Sequence, residues 1–125
     1  FGHFEVQRGL SIFRLIKHFT RLETGQWEAS EALRSMVSFR EHNLMEDASG
    51  MGKHDLVLCR HVLSGMARSA RTAVADRLAN QLMPGGVLLL GNGESLTGLT
   101  DRLEPARNIR GGWVAAGTAN AEAAA

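Results

Sequence analysis

Cysteine occurs once, at Cys59, in a chain of 125 residues. A single thiol excludes an internal disulfide framework and points to a reducing, cytoplasmic compartment. Excess charge is also lacking: 14 Lys+Arg stand against 13 Asp+Glu, a formal net charge of +1. That balance excludes strong non-specific binding to nucleic acid. Twelve of the 14 cations are Arg, but eight fall before Leu63 and six after, so no basic stripe forms. No apolar run approaches the roughly 20 residues of a membrane span, so no membrane insertion is expected. Phe1-Gly2-His3-Phe4-Glu5 has no signal-peptide character and no initiating Met, so the chain reads as a piece of a larger protein.

What remains suits one globular domain. Apolar residues make up 44% and charged residues 22%. A chain of this length buries roughly 65% of its unfolded surface, enough for a core.

The periodicity orders the elements. Ile12, Leu15, Ile16 and Phe19 recur at i, i+3, i+4 and i+7 behind the N-cap candidate Ser11, which predicts a helix ending near Thr24-Gly25. Gln26–Ala29 is ambiguous, with a short strand as one reading. Met36–Arg40 reads as a strand and Glu46–Lys53 as a loop. Leu56-Val57-Leu58-Cys59 is a continuous apolar run that suits a strand buried on both faces. A helix is predicted from about Ser69 to Met83, stopped by Pro84-Gly85-Gly86. Val87–Leu90 is a second buried-strand run. Leu103–Ile109 and Trp113–Ala116 read as two antiparallel strands around Gly111-Gly112. The tail from Gly117 is Ala-rich and is expected to fray.

Apolar strands alternating with helices argue for an α/β sheet with parallel central strands. Such sheets bind ligands outside the carboxyl ends of their strands. Three segments occupy such ends: His42-Asn43-Leu44, Cys59-Arg60-His61 and Gly91-Asn92-Gly93-Glu94-Ser95. They are expected to meet along one edge.

At these segments the chain resembles the CheR-type chemotaxis-receptor methyltransferases. The resemblance rests on His54–Leu63, on Leu82–Leu96 with its Pro-Gly-Gly and Leu-Gly-x-x-Glu-Ser pattern, on Val37–Leu44, and on Val6–Leu10. These four stretches follow the family's order and cover roughly residues 4–96. The resemblance implies a partial Rossmann-like methyltransferase fold that uses S-adenosylmethionine, with S-adenosylhomocysteine as product. It implies methylation of a glutamate side chain on a chemoreceptor or other signalling protein. Residue by residue, Asn43 and Leu44 match the pair on the adenine side of the cofactor. Arg60 and His61 match the pair near its sulfur and amino-acid portion. No catalytic residue is assigned. Residues 1–125 are expected to be the C-terminal part of the domain, since the family's Gly-rich loop and acidic ribose ligand find no match. The fragment alone is expected to be inactive.

Several positions depart from the family. Gly65 stands where the family has a tyrosine beside the transferred methyl, and Met66 replaces its phenylalanine. His61 replaces an asparagine, and Asn92-Gly93 replaces His-Ser. These departures support an alternative, a catalytically degenerate module that binds a partner protein. A sheet cut in mid-order also leaves an edge strand open to self-association.

Each signal has a plainer reading. Asn43 suits the cap of a strand-to-loop turn. Arg60 could be a solvated charge or pair with Glu94, and His61 a helix-start residue. Cys59 reads as a small buried hydrophobe. His42 and His61 lack a third ligand with recognisable spacing, so no metal is expected. Gly91–Ser95 lacks the third glycine of a dinucleotide fingerprint, and reads as a turn or as a segment that orients the edge loops.

Overall fold

A computed structural model describes residues 1–118. The chain separates into two compact units, Phe1–Glu41 and His42–Ala125.

The first unit holds α1 (His3–Gln7), α2 (Ile12–His18), β1 (Phe19–Arg21), β2 (Trp27–Ala29) and α3 (Glu31–Arg34). Ser11 caps α2 as expected, its hydroxyl accepting from the Arg14 N–H at 3.3 Å. The helix does not reach Thr24-Gly25. It stops at His18, because Phe19 turns extended and pairs antiparallel with Ala29. Gly25, at φ 84°, makes the turn between the two strands, a conformation that favours glycine. The strand reading of Trp27–Ala29 is therefore right. Only Leu15 of the apolar stripe is buried; Ile12 and Ile16 are exposed.

The strand predicted at Met36–Arg40 does not form. Its backbone finds no ladder partner among the described residues, and Phe39 is 93% exposed. Strand residues gain their stability from pairing and face burial, and this segment has neither.

The second unit carries β3 (His54–Cys59), α4 (Arg68–Asn80), β4 (Leu82–Leu90), β5 (Leu103–Pro105) and β6 (Gly112–Ala115). They form a four-stranded mixed sheet of order β3-β4-β6-β5. β3 and β4 are parallel and joined through α4; β6 runs antiparallel to both β4 and β5. The hairpin around Gly111-Gly112 is thus present, with its second strand in the middle of the sheet. Val74, Ala75 and Leu78 of α4 are buried in one core with Cys59, Leu88, Leu90, Leu96 and Trp113. Burying each large apolar side chain stabilises by roughly 1.5–3 kcal/mol.

Two further expectations change. β3 is buried on one face only: Cys59 lies in the core, while Leu56 and Leu58 are 57% and 62% exposed. β3 is an edge strand, with no described element over its second face. The α4 helix also ends earlier, with Gln81 as its C-cap. Leu82 and Met83 already belong to β4, and Pro84-Gly85-Gly86 forms a bulge within that strand rather than a helix stop. The register jumps from His54↔Leu82 to Leu56↔Val87, so three extra residues are absorbed on one side. Gly85 sits at φ 78°. A Cβ at Gly86 would lie 2.9 Å from both the His54 and Met83 carbonyl oxygens, so the close approach requires glycine. The expected fraying of the tail beyond 118 lies outside the described residues.

Candidate functional site

The parallel pair sets the site. Cys59 and Leu90 are register partners at the carboxyl ends of β3 and β4. The residues that follow them, Arg60-His61 and Gly91–Glu94, therefore leave the sheet side by side.

Glu94 ties these two exits together. Its Oε2 accepts from the His61 N–H at 2.7 Å and from the Gly91 N–H at 2.8 Å. The Glu94 N–H returns to the Gly91 carbonyl at 3.1 Å, which closes the turn. Partial burial pushes the Glu94 carboxyl upward in pKa. The His61 and Gly91 amides, the His61 imidazole and the Ser64 amide outweigh it and hold the carboxyl below its ordinary range. Its Oε1 is buried without a hydrogen-bond partner. The same carboxylate and, more strongly, burial raise the pKa of Cys59, so the lone thiol is a protonated core residue.

His61 has a φ of 58°, in the left-handed region. It is the one described non-glycine residue there. Gly91 has no space for a side chain: a Cβ would lie 2.6 Å from His61 Cε1 and 2.7 Å from Glu94 Oε2. The left-handed residue, the carboxylate and the bare glycine thus form one interlocked edge.

This edge borders an open cleft of about 600 Å³ lined by Arg60, Gly91–Glu94, Arg110 and Gly111. Such a volume lies within the roughly 300–1,000 Å³ of small-molecule sites. Among the described residues Arg60 has no carboxylate within ion-pair distance, so its predicted alternative, a pair with Glu94, is not formed.

Asn43 and Leu44 do not line that cleft. The Asn43 Oδ1 accepts from the Met45 N–H at 3.0 Å and closes a local turn, the plainer of its two readings. Leu44 packs against the core and lines a separate cavity of about 190 Å³ with Val57, Val74 and Leu78. Of the three segments expected to meet, the second and third do so directly. The described residues contain no group of three or more His, Cys, Asp or Glu able to hold a metal. None of their helices is long and apolar enough to cross a membrane.

The sequence reading missed two features. The left-handed His61 has one faint signal: the resembled family carries Asn there, the residue that tolerates this conformation best after glycine. Arg110 has none, because it reaches the cleft only through the β5–β6 turn.

A parallel β–α–β pair with a ligand-sized cleft outside its strand ends defines a Rossmann-like α/β cofactor-binding segment. Comparison with known proteins makes this particular. Residues 2–110 match the family described as CheR methyltransferase, SAM binding domain, and the chain belongs to that family. S-adenosylmethionine is the cofactor of that domain. The chain is 41% identical over 100 residues to the chemotaxis protein methyltransferase of Vibrio parahaemolyticus, covering 80% of this chain and 36% of the relative. Chemotaxis protein methyltransferase 1 of Vibrio cholerae is 42% identical over 100 residues, with the same 80% and 36% coverage. Chemotaxis protein methyltransferase Cher2 of Pseudomonas putida is 38% identical over 99 residues, covering 79% of this chain and 36% of the relative. The chain spans about a third of the length of the curated relatives it matches.

Proposed function

We propose that residues 1–125 are the C-terminal part of a methyltransferase catalytic domain whose parent protein methylates glutamate side chains of a chemoreceptor or another cytoplasmic signalling protein. Arg60 and His61 hold the sulfur and amino-acid side of the cofactor, and Asn43 and Leu44 its adenine side. The observation that carries this reading is the joined edge, in which Glu94 fixes the Arg60-His61 exit against Gly91–Glu94 beside a ligand-sized cleft.

When bound, S-adenosylmethionine would supply an electrophilic methyl group on a sulfonium for transfer to a carboxylate oxygen. The chain's task is then orientation and exclusion of water rather than covalent chemistry. Arg60 supplies a cation for a carboxylate of the ligand. Gly91, lacking a side chain, makes room for the His61 ring and the Glu94 carboxylate at this edge.

Calorimetric titration with S-adenosylhomocysteine tests this. Micromolar binding, about −8 kcal/mol, that is lost in Arg60→Ala is the expected result. No heat from a chain folded by circular dichroism would overturn the assignment of these residues.

Gly65 favours a second reading, a degenerate partner-binding module. It ends the short 3-10 turn Leu63–Gly65, in the place where the resemblance expects tyrosine. A Cβ there meets nothing within 4 Å, so the position has room for a side chain it lacks. Cofactor binding without methyl incorporation into a receptor peptide, with incorporation restored in Gly65→Tyr, would select this reading. Self-association through the open side of β3 is a separate expectation, motivated by exposed Leu56 and Leu58. A constant monomer mass in light scattering up to high concentration would dismiss it.

A further inference from the structure

Arg110 lines the cleft beside Arg60 and Glu94. The Leu90 N–H donates to the Gly111 carbonyl at 2.9 Å, and the Gly112 N–H to the Ile109 carbonyl at 2.9 Å. These bonds press the Ile109–Gly112 turn onto the end of β4. Gly111 sits at φ 75°, and a Cβ on it would lie 3.3 Å from the Leu90 carbonyl oxygen. The turn is therefore anchored at the same strand end that leads into Gly91.

Arg110 and Arg60 both line the cleft, which they share with one carboxylate, Glu94. That carboxylate is engaged by two backbone amides. Neither arginine forms an ion pair among the described residues. Two guanidiniums against one committed carboxylate leave the cleft with a net positive charge. Arg110, Glu94 and Gly111 also line a neighbouring depression of about 520 Å³ that runs along the β5–β6 turn to Trp113. Arg110 thus lines both the cleft and the depression beside the hairpin.

We propose that Arg110 completes a carboxylate-binding cleft and that the carboxylate it holds is the methyl-accepting side chain. A guanidinium suits this role because it forms paired hydrogen bonds to a carboxylate and keeps it ionised, the form that accepts a methyl cation equivalent. The inference rests on the methyltransferase reading. It divides the labour of the cleft: Arg60 faces the cofactor and Arg110 the acceptor. The same chemistry could instead serve the cofactor's own carboxylate, and the test separates the two.

The experiment is an NMR titration of the isotopically labelled 125-residue chain with N-acetyl-glutamate N-methylamide, and with its glutamine counterpart. The readouts are the Gly91, Gly93 and Gly111 amides and the Arg110 Nε–H group. The glutamate probe is expected to give saturable shifts, weakened about tenfold for the glutamine probe and for Arg110→Gln. Arg110→Lys keeps the charge but not the paired hydrogen bonds, so its response should fall between those of the parent and Arg110→Gln. Unchanged amide positions away from the turn verify that the variants fold. S-adenosylhomocysteine binding, measured in parallel, should be the same in Arg110→Gln as in the parent. Equal responses to the two probes, or a response that survives Arg110→Gln, would overturn the proposal. Loss of S-adenosylhomocysteine binding in Arg110→Gln would assign the cleft to the cofactor's carboxylate and also overturn it. Absence of S-adenosylhomocysteine binding with an intact glutamate response would instead sink the methyltransferase reading, and with it the acceptor role.

Discussion

A single carboxylate oxygen, Glu94 Oε2, accepts the backbone N–H of His61 at 2.7 Å while also accepting that of Gly91 at 2.8 Å. His61 follows β3 and Gly91 follows β4. The ladder of the parallel pair is thereby continued by a side chain beyond the last strand residues. His61 can then keep a φ of 58°, which costs a non-glycine residue about 1–2 kcal/mol. The carboxylate offsets a local strain at the very edge where the cleft begins.

Glu94→Ala leaves two amides at this edge without their acceptor. A loss of about 1–2 kcal/mol is expected, at the lower end for such bonds because water reaches part of the site. Urea unfolding checks this, with the exposed Glu46→Ala as a reference expected within about 0.5 kcal/mol of the parent.

Acid should act through the same group. The Glu94 carboxyl titrates below its ordinary value in the folded chain, so its contribution is fully present above about pH 4.3, the unperturbed glutamate value. It is lost as pH falls through the lowered folded value. The gap in stability between the parent chain and Glu94→Gln should therefore narrow on acidification in that window. Asp47 is lowered too, mainly by hydrogen bonds from Ser49, but it is common to both chains and cancels in this difference. A gap that stays constant from pH 7 to 3 would remove the carboxylate's charge from the account.

Gly91→Ala puts a methyl group where His61 Cε1 and Glu94 Oε2 already stand. The cheapest relief is to push the Glu94 side chain off its amides. Gly91→Ala and Glu94→Ala should therefore be non-additive, the double variant costing clearly less than the sum of the singles. Full additivity in urea unfolding would mean that the methyl is accommodated elsewhere.

His61→Asn should be neutral or slightly stabilising, since Asn adopts left-handed backbone more readily. His61→Val should destabilise by about 1–3 kcal/mol, because a branched Cβ resists that conformation. Thermal unfolding of the pair, read with S-adenosylhomocysteine present and absent, separates backbone strain from contact with the ligand. Equal stability of Asn and Val variants would show that the positive φ carries no strain.

Much of this was legible in the residues themselves. The apolar runs at Leu56–Cys59 and Val87–Leu90 located both parallel strands, and Ser11 located the start of α2. Arg60 and His61 were placed correctly beside Gly91–Glu94 because strand ends in a parallel pair must emerge together. What was illegible depended on partners distant in sequence. The run Met36–Arg40 has strand-like alternation, but alternation does not supply a neighbour to pair with. Leu56 and Leu58 look like core residues, yet no described element covers their face. Pro84-Gly85-Gly86 is a standard helix stop by composition. Here the helix has already ended at Gln81, and the three residues bend a strand instead. Asn43 closes its own turn through Oδ1, which leaves its amide N–H groups for a ligand, a division that sequence alone does not give.

The bulge in β4 gives the sheet slack. Leu82 is already paired with His54 before the detour, and the register resumes at Leu56↔Val87 after it. A residue gained or lost within 83–86 changes the length of the detour and leaves Val87–Leu90 in step with β3. The connection from α4 can thus vary in length while the cleft-bearing end of the sheet stays in tune, so drift in the lower half of this strand is insulated from its upper half.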